Sequence, residues 1–201
     1  MPCWPRTIRV RDRWSIIEQI AGTAVAVVVE PTDDRTQPQP GFDHAVGPAG
    51  QPVTVRAASR TRWLVPEPEA AAGAGRDNFG FAAWVEANAA RLAALGPGAH
   101  RGIWFGAGIG HGYGLAERRF ALLDIARWHS ARLPPGLPEA VARVPVLAEC
   151  TGRDLSEAVG AGLARLADCG SVLVPGAAAA GVQARSAADP RFIIEAALTG
   201  R

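Results

Sequence analysis

Residues 100–128 read HRGIWFGAGIGHGYGLAERRFALLDIARW. Six glycines, at 102, 106, 108, 110, 112 and 114, break any helical or strand period and let the backbone turn tightly. Trp104, Phe105 and Tyr113 stand among them as flat walls, followed by Arg118, Arg119 and an apolar run from Phe120 to Ile125. The pattern predicts a strand at 101–105, a glycine-rich bend and a second strand at 119–125. Aromatic residues between such elements build a pocket floor, and the same composition also describes a loop that only packs.

The run resembles the segment H-x-G-E-W-W-G-x-G-I-Q-R-G-Y-G-L-x-x-x-R-F-x-L-F-N-x-x-R-W of bacterial and phage RNA ligases. These belong to the covalent nucleotidyltransferase superfamily of ligases and capping enzymes. The matching residues are His100, Gly102, Trp104, Gly106, Gly108, Ile109, Gly112, Tyr113, Gly114, Leu115, Arg119, Phe120, Leu122, Arg127 and Trp128. Asp77–Val85 (DNFGFAAWV) and Val144–Glu149 (VPVLAE, for V-P-V-L-Y-E) are similar to the same family. The resemblance implies an α+β fold: a ligase-type nucleotidyltransferase domain with twisted, mainly antiparallel sheets, flanking helices and a central cleft.

Composition sets the frame around that run. A length of 201 residues predicts one domain over 1–201, with surface loops at about 31–52 and 66–76. The net charge of +2 gives no large basic field, so nucleic acid is a possible partner but not the favoured one. All 21 basic residues are arginine, and the chain has no lysine. Cys3, Cys150 and Cys169 are far apart without a CxxC pair, which predicts a reducing cytoplasm and no metal site. Met1–Val10 carries Pro2, Pro5 and Arg6 where a leader would be apolar, and runs such as Ala24–Val29 are too short to span a bilayer. A cytoplasmic protein with no membrane partner is expected.

Trp14–Ile20 and the β-branched run Ala24–Glu30 predict two strands, paired as a hairpin through Ala21-Gly22-Thr23. A strand is expected at 53–57. A helix is expected over Asn78–Leu95, capped by Asp77 or Asn78 and stopped by Gly96-Pro97-Gly98. Val144–Ala148 reads as a buried strand, Leu155–Cys169 as an amphipathic helix, and 171–174, 181–184 and 191–195 as short strands.

The resemblance also says which chemistry to look for. RNA ligases attack ATP with the lysine of E-K-x-D-G-T and hold AMP on its amine. Here the motif stands as Glu18-Gln19-Ile20-Ala21-Gly22-Thr23. A glutamine amide nitrogen delocalises its lone pair and is no nucleophile, so lysyl-AMP cannot form in this chain alone. The family's acidic residue in G-E-W-W-G is Ile103; its E-G-V-V-V strand is Ala180–Ala184; its F-K-V-T lysine is Ile193. An ATP–Mg²⁺ site needs carboxylates and fixed cations, and their replacement predicts no cofactor.

The expected function is a ligation-incompetent, RNA-ligase-like protein whose former ATP cleft binds an apolar or aromatic small molecule. Cofactor-free cyclase, isomerase or lyase chemistry is possible there, with a collapsed cleft as the alternative state. The alternative function is a pseudo-ligase that binds RNA, a nucleotide or a partner protein. Substrate-binding candidates are Gln19, Arg60, Ile103, Trp104, Phe105, Glu149 and Ile193, with Arg60 in the family's S-R pair. Catalytic candidates are Glu18, His111 and Tyr113, the last two as a titratable pair in the glycine-rich loop. Glu18 is either a base or the ion-pair partner of Arg60. His100 is expected to orient backbone. Arg60, Arg62, Arg118, Arg119 and Arg127 are the residues that a phosphate-tracking surface would use.

Overall fold

The computed structural model describes residues 8–32, 43–67, 77–128, 131–189 and 191–198. The expected loop residues 33–42 and 68–76 lie outside these, as do residues 1–7 with Cys3, and His129. The strands are β1 (Arg13–Gln19), β2 (Thr23–Pro31), β3 (Asp43–Val46), β4 (Pro52–Ser59) and β5 (Gly98–Gly106). They continue as β6 (Arg118–Leu122), β7 (Val141–Arg143), β8 (Val146–Thr151), β9 (Gly181–Ser186) and β10 (Ile193–Ala197). The helices are α1 (Phe81–Ala87), α2 (Ala89–Leu92), α3 (Ile125–Trp128) and α4 (Leu155–Cys169). The chain divides into two compact units, residues 1–21 with 144–201, and residues 22–143. Among the described residues no helix is long and apolar enough to cross a membrane.

The first unit is a four-stranded antiparallel sheet in the order β10-β9-β1-β8. Strand side chains alternate between faces, so Trp14, Ile16 and Glu18 share one face, and Ser15, Ile17 and Gln19 the other. Helix α4, formed over the residues its pattern predicts, covers the first face. Its Leu155 and Leu166 pack with Trp14, Ile16, Val182 and Ala184.

Three expectations fail in this unit. β1 and β2 are not a hairpin: β1 pairs with β8 and β9, while β2 pairs with β4 and β5. A two-residue hairpin needs left-handed residues at its turn, and Gly22 is not among the glycines with positive φ. The chain therefore runs on into a second sheet. The strand expected at 171–174 is a turn, which binds Glu18. The strand expected over 144–148 begins at Val146 and is half-buried rather than buried, because β8 is a sheet edge.

The second unit is a six-stranded sheet, β3-β4-β2-β5-β6-β7, antiparallel except between β6 and β7. Asp43–Val46, expected as loop, is its edge strand β3. Val25, Val27 and Val29 of β2 and Val53, Val55 and Ala57 of β4 face one core with Trp104, Phe120 and Leu122. A fully buried aliphatic side chain contributes about 1.5–3 kcal/mol, so this row alone fixes the register of β2. Gly102 has no room for a side chain, since a Cβ there would meet the Phe120 ring and the Ala121 carbonyl.

The expected helix 78–95 is broken at Asn88 (φ −116°), giving α1, α2 and a 3-10 turn at Ala93–Leu95. The Asn88 side chain donates to Trp84 O (2.9 Å), a local bond that competes with helix continuation. The capping expected of Asp77 holds in substance. Its Oδ1 accepts from Ala82 N (2.6 Å) and Ala83 N (3.0 Å), although the residue before the first turn is Gly80. Phe81 and Trp84 pack at a tilt against Trp104, at ring-centroid distances of 5.3 and 5.0 Å.

His100 does orient backbone. Fully buried, it bonds Gly96 O through Nε2 (2.8 Å). Burial pushes its pKa below the ordinary 6.5, with Arg127 pushing the same way and the Gly96 bond and Asp124 opposing. Just below that pH the unfolded imidazole binds a proton that the folded one resists, so acid favours unfolding. Stability is therefore expected to fall as pH drops from 7 towards 5, less steeply in His100→Gln. Urea midpoints across that range check this, and equal slopes in both proteins contradict it.

Candidate functional site

The face of the four-stranded sheet opposite α4 carries three of the expected binding residues. Gln19 pairs with Gly181, Glu149 with Ser15, and Ile193 with Arg185, and all share the parity of Ile17. Gln19 Oε1 is buried and has no hydrogen-bond partner among the described residues. Gln183 lies between, donating from Nε2 to Glu195 Oε1 (2.8 Å) and accepting at Oε1 from Arg185 Nε and Nη2 (3.3 and 3.2 Å). Burial lowers the pKa of the Arg185 guanidinium while Glu195 raises it, and arginine stays charged regardless. Arg13 stands 3.8 Å from Glu149, an exposed pair worth little energy.

Arg185 was not singled out from the sequence, and Gln183 was read only as part of a degenerate motif. Their signal was the strand period of Gly181–Ser186, which puts residues 181, 183 and 185 on one face.

Glu18 points the other way, into the α4 side, and is fully buried. Its Oε1 accepts from Ser171 Oγ, and its Oε2 from Val172 N (2.9 Å) and Leu173 N (3.0 Å). Ser171 Oγ also accepts from Val174 N (2.9 Å). Both carboxylate oxygens are thus committed to a turn within the same unit, which suits an anchor that holds the strand under Gln19.

In the second unit, strand alternation splits the expected apolar wall. Ile103 (half-buried) and Phe105 (buried) face away from the α1 core, whereas Trp104 faces into it and donates from Nε1 to Phe79 O (3.0 Å). The bend that follows has positive φ at Gly106, Gly108, Gly110, Gly112 and Gly114, and also at Tyr113 (52°). Left-handed backbone is rare for a tyrosine. Tyr113 is buried edge-on to Phe105 (centroids 5.6 Å), and the exposed His111 ring lies 4.0 Å from it. The structure brings these two candidate catalytic residues together.

Arg60 and Arg62 are exposed on the Ser59–Arg62 turn, which the Ser59 hydroxyl closes. Arg56 stacks 3.5 Å over the exposed Trp63 ring. Arg118 and Arg127 are committed to structure: Arg118 donates to Ala107 O (2.9 Å) and Phe79 O (2.7 Å), Arg127 to Leu95 O (2.9 Å) and Pro97 O (3.3 Å). The expected arginine surface is reduced accordingly.

By sequence, no protein-family model and no curated protein matches this chain. By structure it is similar to an RNA ligase of Naegleria gruberi. With a ligand-free point mutant of that ligase the TM-score is 0.52 at 16% identity, covering 94% of this chain and 50% of the ligase. With a mutant containing ATP and manganese the TM-score is 0.50 at 16% identity, covering 92% and 49%. The chain thus spans about half the length of the ligase chains it matches. Two largely antiparallel sheets, few helices and this likeness give the chain an RNA-ligase-like nucleotidyltransferase fold.

Proposed function

We propose that this chain is a ligation-incompetent protein of ligase fold that binds a neutral organic molecule on the sheet face around Gln19. The observation that carries the reading is the charge of that face. Where the resemblance places two lysines stand Gln19 and Ile193. The charges that remain face one another, Arg185 with Glu195 through Gln183, and Arg13 with Glu149. Among the described residues the cations of this face each stand near a carboxylate, and desolvating unpaired phosphate oxygens is costly. The donor set therefore does not fit ATP–Mg²⁺.

Ile193 supplies apolar surface, and Gln19, Gln183 and Ser15 supply hydrogen bonds, a mixture suited to an apolar frame with polar substituents. The ligand expected from sequence, apolar or aromatic, gains polar substituents to that extent. Catalysis without cofactor by His111 with Tyr113, within residues 22–143, is proposed separately. RNA binding is the second reading, favoured by Arg60, Arg62 and the Arg56–Trp63 stack.

Thermal unfolding with separate probes tests the choice. Millimolar 1-naphthol is expected to raise the Tm by mass action, while ATP–Mg²⁺ leaves it unchanged and intact-mass measurement finds no AMP adduct. A Tm rise with single-stranded RNA alone, lost in high salt, supports the second reading. An AMP adduct sinks both.

A further inference from the structure

Arg185 is half-buried on β9, within the sheet face that carries Gln19. The register sets its neighbours, Ile193 of β10 on one side and Ser15 of β1 on the other, each one strand away at about 4.8 Å. Its Nε and Nη2 both donate to one oxygen, Gln183 Oε1 (3.3 and 3.2 Å), and Gln183 Nε2 donates in turn to Glu195 Oε1 (2.8 Å). A guanidinium carries its N–H donors in a rigid planar fork. Fixing one edge of that fork on an amide that a carboxylate already holds sets the plane of the whole group. The other edge is uncommitted: among the described residues Nη1 donates to nothing, and no carboxylate pairs with Arg185 directly. The relay is also balanced in charge, since Glu195 answers Arg185 from the far side of Gln183. A second anion at Arg185 is repelled by that carboxylate, whereas a neutral oxygen is not.

We infer that Arg185 is a specificity-determining residue of the Gln19 face, which donates from Nη1 to a carbonyl oxygen of a neutral aromatic ligand. The inference rests on the proposed small-molecule function and adds a residue and a chemical requirement to it. Ile193, beside Arg185 and exposed, offers the apolar surface for the ring that carries the carbonyl. Every residue involved belongs to the unit of residues 1–21 and 144–201.

The test compares 1-naphthamide, which has a carbonyl acceptor, with 1-naphthol, which shares its frame without one. The parent protein is expected to bind the amide about three- to tenfold more tightly by calorimetry, the range one hydrogen bond provides. Arg185→Met keeps an apolar stem without donors and is expected to bring the two affinities level. Arg185→Lys keeps the charge but loses the planar fork, and is expected to do the same. Nitrogen-15 NMR of the parent needs no substitution and serves if the variants do not fold. At saturation the Arg185 guanidinium resonance is expected to shift further with 1-naphthamide than with 1-naphthol. A preference retained in either variant overturns the inference, as do equal guanidinium shifts or a parent that does not prefer the amide; in these cases the proposed function stands. Tighter binding of the anion 1-naphthoate than of the amide overturns the inference and, with it, the neutrality of the ligand. Binding of none of the probes overturns the inference and the proposed function together.

Discussion

Glu18→Ala is expected to destabilise the unit of residues 1–21 and 144–201 by about 3–5 kcal/mol, the range for breaking a buried charged network. The fully buried carboxylate accepts from one hydroxyl and two amides, and removing it leaves a buried hydroxyl and two part-buried amides without their acceptor. Glu18→Gln keeps one carbonyl oxygen and is expected to lose less. Denaturant unfolding of the three proteins measures both steps. A loss below about 1 kcal/mol for the alanine variant, the scale of a single neutral hydrogen bond, contradicts the anchoring role. It would also return Glu18 to the catalytic role the sequence first suggested.

The second large effect separates neighbours on one strand. Trp104→Ala is expected to cost about 3–5 kcal/mol, the range for deleting a core aromatic. It removes the ring that packs against Phe81 and Trp84 and the indole bond to Phe79 O. Ile103→Ala, half-buried on the opposite face, is expected to cost about 1 kcal/mol for the partial burial it gives up. The pair is read by urea unfolding followed through tryptophan fluorescence for Ile103→Ala and circular dichroism for both. Equal losses contradict the assignment of the two faces.

What the sequence disclosed, and what it hid, follows from the range of each signal. The helix Leu155–Cys169 and the runs at β1, β2 and β6 were legible because amphipathic and β-branched periods are local. Pairing partners were not. β1 and β2 adjoin in sequence yet belong to different sheets, a choice made by residues 98–104 and 146–151 that reach them from far along the chain. The run Ile103-Trp104-Phe105 read as one wall because its composition is uniform; only its strand state, with period 2, divides it.

At the site, Gln19 and Ile193 were found through resemblance, and the structure places both on one sheet face. Arg185 escaped because an arginine among 21 carries no mark of its own. Its meaning comes from Gln183 and Glu195 beside it. Ser171 escaped for the same reason: a strand was expected where its hydroxyl and the following amides form a cradle for Glu18.

The central claim, that the face around Gln19 has lost the charge needed for a nucleotide and takes a neutral molecule instead, is tested most directly at Gln19 itself. Its side-chain amide can be followed by nitrogen-15 NMR while ATP–Mg²⁺ and then 1-naphthol are titrated in. The account predicts that the resonance stays fixed with ATP–Mg²⁺ and moves saturably with 1-naphthol. A saturable shift with ATP–Mg²⁺ and none with 1-naphthol contradicts it.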